Sequence, residues 1–324
     1  MKKVSIVMCT YNGEKYLKEQ IDSILNQTYP LEELIIQDDC STDSTVDIIR
    51  EYQKKYPIIK LHVNEENKGL NENFFSAMSK ANGDYIATAD QDDIWELNKI
   101  EKQVDAIGDC LLCFGRSRFF NNEDETTIVI NKESQNYSLV RFVFVSTIAG
   151  HVMLFSSKLL KLMPLEGNLI RDKYKNFDHY LGLTAVAYNS VVFCNEILCH
   201  HRIHAGNLTL NLGESVEPKK TIFRPLKAIQ SAFTHRKNIK KEADIFFLST
   251  YEYISELKVE TKETRDAKKI ALLMAGSSFF SIIRAMIFCV IHKDKVLDEN
   301  KPGRIVALIK APLFPLLCYN FYKF

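Results

Sequence analysis

No long run of one charge sign, no phosphate-cradling glycine motif and no second closely spaced cysteine pair occur in these 324 residues. Lys and Arg number 42 against 41 Asp and Glu, a formal net charge of +1, so bulk electrostatics draws the chain to no polyanion and nucleic acid is not expected as a partner. The densest basic stretch, His235 to Lys241, is what a solvated helix face carries. The absence of G-x-x-x-x-G-K-[ST] argues against a P-loop nucleotide hydrolase, and no G-x-S-x-G elbow marks an α/β-hydrolase nucleophile. Tyr11-Asn12-Gly13-Glu14 follows the first apolar run where a dinucleotide fold would need its glycines. A nucleotidyltransferase would open with a Gly-rich, Arg-containing loop, and this is not one. Cys110 and Cys113 form a lone C-x-x-C in an apolar stretch, which suits core thiols better than zinc. Cys194, Cys199, His200, His201 and His204 alternate along an apparent strand and so would point to opposite faces. No secretory signal precedes Val4, and scattered cysteines fit a reducing, cytoplasmic compartment.

What is present is strand–helix repetition. VSIVMC (4–9) reads as a strand buried on both faces. A helical stretch from about Glu14 to Asn26 follows, then LEELIIQDD (31–39) as a second strand and STDSTVDIIREYQKKY as a second helix. IIKLHVN (58–64) is a third strand, Asn71 to Ala81 a third helix and DYIATAD (84–90) a fourth strand. This spacing predicts a doubly wound, mostly parallel sheet with helices on both faces. Ligands of such sheets sit beyond the carboxyl ends of the strands. There the sequence places Cys9-Thr10-Tyr11-Asn12, Asp38-Asp39 and Asp90-Gln91-Asp92-Asp93.

Three carboxylates within four positions repel unless a cation sits among them, and a hard divalent ion answers that need. Mg²⁺ and Mn²⁺ favour oxygen ligands and bind one or two carboxylates together with phosphate oxygens. On an extended backbone Asp90 and Asp92 point one way and Gln91 the other. Asp93 then falls on the opposite side, where it could cap a helix beginning at Ile94-Trp95-Glu96. The glycine and distal glutamate of an EF-hand are missing.

From Asp109 to about Leu212 the pattern changes. LLCFGRSRFF, HVMLFSS and VVFCNEILCHHRIH read as strands of a mixed second half, with helices near Tyr137 to Ser146 and Asp178 to Tyr188. Beyond residue 212 strand character is lost, and Glu217 to Tyr253 and Val259 to His292 read as helices. The expected organisation is thus 1–212 as one α/β domain, in halves 1–100 and 101–212, followed by a helical region 213–324. Ile270 to Ile291 is almost wholly apolar and long enough for a bilayer, but Arg284 near its middle opposes insertion. A buried or subunit-interface helix is the main expectation. The closing RIVALIKAPLFPLLCYNFYKF spaces Lys and Arg among aromatics, which suits contact with a membrane surface.

The segments VSIVMCTYNGEKYLKEQIDSILNQTYP, ELIIQDDCSTDST and GDYIATADQDDIWELNKI, with FDHYLGL and HHRIHAGNLT further on, resemble the inverting family 2 glycosyltransferases of GT-A fold. The DQDDIW wording is similar to the branch of bacterial rhamnosyltransferases and other cell-surface polysaccharide transferases. The resemblance covers residue 3 to about 210. It implies that Thr10 and Tyr11 line a base pocket and that Asp39 accepts the N3–H of uracil or thymine. It makes Asp90 and Asp92 the D-x-D pair, with Asp92 the direct ligand of Mn²⁺ or Mg²⁺ and Lys99 a group steering the diphosphate. Asp178 matches the base that deprotonates the acceptor hydroxyl, with Asp172 and Glu166 as rivals; a helix cap is its plain alternative. His179 stands where relatives carry an aromatic residue. His204 would reach the metal, Arg202 a phosphate, and the backbone at Gly150 the sugar. The implied donor is a UDP- or dTDP-sugar and the acceptor a surface or lipid-linked glycan, handled at the inner face of the membrane, with a homo-oligomer as a further expectation. A non-catalytic nucleotide- or carbohydrate-binding scaffold of the same fold would be expected to have lost Asp92 or Asp178, and both are present.

Overall fold

The computed structural model describes residues 1–121, 124–130, 137–145, 148–164, 175–204, 206, 224–276, 278–297 and 304–321. Strand β1 (Val4–Thr10) is buried along its whole length, as its unbroken apolar run requires. Helix α1 (Leu17–Leu25), β2 (Glu33–Asp38), α2 (Thr45–Lys55), β3 (Ile59–Val63), α3 (Leu70–Met78) and β4 (Tyr85–Ala89) follow in the expected order. β1 lies between β2 and β4, and β3 flanks β2, all parallel. The register pairs Thr10 with Asp38 and Met8 with Ala89, which carries three polar strand ends to one edge.

Alternate residues of these strands feed two cores. Val7, Ile35 and Ile86 pack with Phe74 and Ala77 of α3. Ile6, Leu34, Ile36 and Ala87 pack with Leu17, Ile21 and Ile49 on the other face.

After β4 come β5 (Ile94–Trp95), α4 (Lys99–Ile107), β6 (Leu112–Asn121), β7 (Asp124–Ile130), α5 (Leu139–Phe142), β8 (Met153–Ser156), α6 (Lys158–Leu162), α7 (Phe177–Ala187) and β9 (Val191–Arg202). β8 inserts antiparallel between β4 and β6, while β9 runs parallel to β6. The result is one mixed sheet in the order β3-β2-β1-β4-β8-β6-β9-β5, with β7 on β6. The helix expected from Ile94 does not form there. Ile94 and Trp95 instead pair antiparallel with His200 and Cys199, and the helix begins at Lys99. The free edge of β9 satisfies their backbone groups, which a helix start would leave unpaired.

The C-terminal helices are α8 (Arg224–Glu256), α9 (Lys262–Ala275), α10 (Phe279–Ile291), α11 (Lys293–Val296) and α12 (Arg304–Leu317). The single helix expected over Val259 to His292 breaks at Gly276, whose ψ of 133° is extended, and Ser278 Oγ caps the new start by accepting the Ser281 N–H. The two pieces of 14 and 13 residues are each about 20 Å long, short of the roughly 30 Å hydrocarbon core. Among the described residues no helix is long and apolar enough to cross a membrane. Phe247, Tyr253 and Ile254 of α8 join the core around α7, where Thr184 Oγ1 and Tyr253 Oη lie 2.7 Å apart. The expected boundary at residue 212 and the rival bases Glu166 and Asp172 lie outside the described residues.

Candidate active site

Beyond β1 the chain turns at Asn12, whose φ of 48° is one that asparagine tolerates. Gln91 reaches across from the β4 loop to this turn. Its Oε1 accepts the Tyr11 N–H at 2.9 Å and its Nε2 donates to the Tyr11 carbonyl at 3.1 Å. A β carbon at Gly13 would lie 2.2 Å from that Oε1, so glycine is what allows the two loops to be joined. The ring of Tyr11 stays half exposed at the mouth of the edge.

Thr10 does not line an open pocket. It is buried, and its hydroxyl donates to Asp38 Oδ2, which also accepts the Ser41 hydroxyl. Closing the β1–β2 loop takes up a side chain expected to meet the base. Asp39 accepts from Asn64 Nδ2, Lys68 N and Gly69 N at 2.7 to 2.8 Å. A carboxylate has about four acceptor positions, so Asp39 can take one further N–H while it organises the loop after β3.

The DQDD segment resolves into two unlike pairs. Asp93 is wholly buried, and its Oδ1 lies 2.9 Å from His201 Nδ1 and accepts the Arg202 N–H at 3.1 Å. Burial disfavours the Asp93 carboxylate, but the His201 hydrogen bond and charge outweigh it and lower its pKa. Burial also works against the His201 imidazolium, yet the bond to Asp93 and the charges of Asp93, Asp90 and Asp92 raise it to about 9. His151 stacks on His201 with ring centroids 4.5 Å apart, and burial with the His201 charge lowers it to about 3. Asp90, Asp93, His151 and His201 hold ligand-type atoms within 4.8 Å of one another. These four are a second group of metal-ligand type, and within it a charged His201 favours the ionised Asp93. Asp93 therefore anchors the loop to β9 and caps no helix.

Asp92 keeps partial solvent access. Its Oδ2 lies 2.8 Å from His204 Nε2, and the two side chains retain 15% and 22% exposure. Burial, then the charge of Asp93, raises the Asp92 pKa, against the pull of His204. The Gly206 N–H donates to His204 Nδ1 at 3.1 Å, which leaves the hydrogen of a neutral ring on Nε2, facing Asp92. The carboxylate oxygen of Asp92 fits Mn²⁺ or Mg²⁺, and His204 Nε2 joins it as a ligand only when its hydrogen passes to Nδ1 and the Gly206 bond is given up.

Asp90, 35% exposed, lies 3.8 Å from His151 Nδ1 and groups with Asp93 and His201, where an extended backbone would set it opposite Asp93. Its pKa is raised well above the usual range by burial, then by Asp93 and Asp92, and Asp178 adds to it from across the cleft. Asp178 stands in the first turn of α7, after the N-cap residue Asn176. It accepts the Gly150 N–H at 3.1 Å and the His179 N–H at 2.8 Å. Burial raises it to about 6 although those bonds favour the charged form, which makes it a stronger base than an ordinary carboxylate.

Three further residues expected at the ligand have partners within the fold. Gly150 uses its N–H to hold Asp178, and a β carbon there would come 2.7 Å from the Phe177 ring, so its smallness serves the seat of α7. Lys99 is fully buried, 3.9 Å over the Trp95 ring and bonded to Gln103 Oε1, with burial lowering it to about 8. Arg202 is 1% exposed between the rings of Tyr16 and Phe120. Its guanidinium donates to the Asp92 carbonyl and to Glu19, so it braces the loop instead of offering itself to phosphate. Gln91, Asp93 and His201 are the site-forming residues that spacing did not single out. The adjacent His200-His201 pair carried the one available signal, since only alternate strand residues share a face. Accordingly His201 meets Asp93 while His200 pairs with Glu96.

The family model described as Glycosyl transferase family 2 matches residues 5–162. The chain is 32% identical over 207 residues to the uncharacterized glycosyltransferase MJ1057 of Methanocaldococcus jannaschii, a match covering 62% of this chain and 70% of that relative. It is 40% identical over 105 residues to the dTDP-rhamnosyl transferase RfbG of Shigella flexneri, covering 31% of this chain and 36% of the relative. The matches span 40% and 37% of the length of the first curated relatives. The solved structure of S. aureus TarS 1-349 in complex with UDP-GlcNAc has a TM-score of 0.57 at 18% identity, over 98% of this chain and 86% of that one. The mannosyltransferase PcManGT from Pyrobaculum calidifontis, in complex with GDP-Man and Mn²⁺, has a TM-score of 0.52 at 16% identity with the same coverage. These likenesses establish the GT-A fold.

Proposed function

The chain belongs to glycosyl transferase family 2, and we propose that it is an inverting, metal-dependent member. It moves a sugar from a UDP- or dTDP-sugar to a surface polysaccharide or lipid-linked glycan. The observation that carries this is the pairing of Asp92 with His204 at the end of β4, opposite an Asp178 held and made basic by its surroundings. The same edge carries Asp39 with acceptor capacity for one more N–H, which suits the N3–H of uracil or thymine. Mn²⁺ bound to the mannosyltransferase relative supports the same metal here.

Asp178 takes the proton of the acceptor hydroxyl as that oxygen bonds to the anomeric carbon. The bond from that carbon to the diphosphate breaks on the opposite side, which inverts the centre. Gly150 and His179 N–H groups fix the carboxylate so that a lone pair faces the cleft. Asp92 and His204 would hold the metal, whose charge stabilises the departing diphosphate. Tyr11 lies against the base, and Gln91 keeps its loop in register with Asp90 and Asp92. The catalytic work is assigned to residues 1–212 and acceptor presentation to the helical region, at the inner face of the cell membrane where lipid-linked glycans are met.

Calorimetric titration of UDP, dTDP and GDP, with Mn²⁺ and again with EDTA, tests this on wild type and Asp92→Ala. UDP or dTDP binding that needs metal and disappears in the variant is the expected result. Absence of nucleotide binding under every condition overturns the assignment.

A further inference from the structure

We propose that the exposed face of α10 and α12 docks on an anionic lipid bilayer, lying on its surface without crossing it. This deepens the membrane location given above, but rests on different residues from the transferase site. A surface helix normally presents polar residues outward, and one that is apolar all round is normally buried. α10 obeys neither rule. Ala285, Phe288 and Cys289 face the core, while Phe280, Ile287 and Ile291 are 70%, 55% and 69% exposed. With the exposed Arg284 these residues follow at i, i+4, i+7 and i+11, one stripe along the helix. α12 packs against α10 and exposes Leu308 and Ile309 at 53% and 60%, followed by the exposed Lys310.

Charge selects the occupant. No Asp or Glu occurs from Ile270 to Lys293 or from Lys301 to Phe324, whereas Arg284, Lys301, Arg304, Lys310 and Lys323 fall within these segments. An apolar stripe that carries the exposed cations Arg284 and Lys310, with the exposed Asp294 just beyond its end, matches a surface of acyl chains under anionic headgroups. A second copy of the chain meeting this face about a two-fold axis would bring Arg284 and Lys310 against cations of its own kind. The break at Gly276 leaves α10 with 13 residues, long enough to lie in the interface and too short to span it.

The test is co-sedimentation of the full chain with vesicles of equal parts phosphatidylglycerol and phosphatidylcholine, and with phosphatidylcholine alone. Binding to the anionic vesicles that weakens with added salt is expected. It should fall about tenfold or more in Ile287→Glu/Ile291→Glu, and a similar amount in Arg284→Glu/Lys310→Glu. These positions are exposed, so circular dichroism and metal-dependent nucleotide binding should stay at wild-type values. That second readout separates failure here from failure of the transferase assignment. Equal binding by wild type and both variants overturns the proposal. So does a dimer in light scattering that Ile287→Glu/Ile291→Glu dissociates while wild type ignores the vesicles.

Discussion

Asp92 with His204 and Asp93 with His201 are adjacent carboxylate–histidine pairs of almost the same length, 2.8 and 2.9 Å. They differ in solvent. Asp93 and His201 are 0% and 9% exposed, and their bond holds a proton that burial alone would expel. Asp92 and His204 keep more solvent access, 15% and 22%. The chain bends at Gln91-Asp92, which sets Asp93 with Asp90 beside His201 and leaves Asp92 on the side of His204. Chemical identity is shared, and access divides structural work from ligand work.

Removing each aspartate should break the comparison in opposite ways. Asp93→Ala leaves a buried imidazolium and the Arg202 N–H without their acceptor, at a cost of about 3–5 kcal/mol. Thermal unfolding should show a Tm lower by roughly 10 °C. Asp92→Ala should leave the Tm within a few degrees of wild type and abolish metal-dependent nucleotide binding.

Asp178 supplies the catalytic counterpart. Asp178→Asn should lower kcat by about 10²–10⁴-fold with nucleotide affinity unchanged. In wild type, kcat/KM should fall tenfold per pH unit below about 6, where the base takes up its proton. The folded value lies above the ordinary 3.8, so the folded state binds that proton more tightly than the unfolded chain. Stability from this group is greatest at low pH and declines as pH rises through about 6, so Asp178→Asn should raise the Tm at neutral pH. A variant that keeps full transfer activity would remove Asp178 from its role.

The closed pair should also show itself by titration, with a smaller effect. His201 is raised from 6.5 to about 9, so its contribution is complete below 6.5 and lost as pH rises through about 9. Chemical denaturation should show that decline in wild type, and His201→Gln should flatten it. The smallest effect is expected at Lys99. Lys99→Met keeps the stem against Trp95 and removes a buried charge, so stability should change by no more than about 1 kcal/mol. Nucleotide affinity should not change, whereas a diphosphate contact would make it fall.

The first four strands and their acidic ends were legible because period and spacing are local properties. VSIVMC and IIQDD announce buried strands, and parallel pairing then forces their ends together. Lys99 and Arg202 were misplaced for the converse reason. A charged side chain reads as exposed and ligand-ready unless its burial is known, and burial here comes from distant segments. Trp95 and Gln103 enclose Lys99, while Tyr16, Glu19 and Phe120 enclose Arg202. Nothing local signals the partner of Gln91, the Tyr11 backbone eighty positions earlier.

The sequence by itself determined the order of the first four strands and the family, and it pointed to Asp92, Asp178 and His204, whose roles are proposed. Hydrophobic period and motif wording act over a few residues and survive without coordinates. Only the tertiary structure decided which acid is buried, which histidine carries the proton and which arginine braces the loop. Those properties depend on solvent access and on charges brought together across more than a hundred residues, and both arise only when β9 lies beside β5 and α7 closes over Gly150.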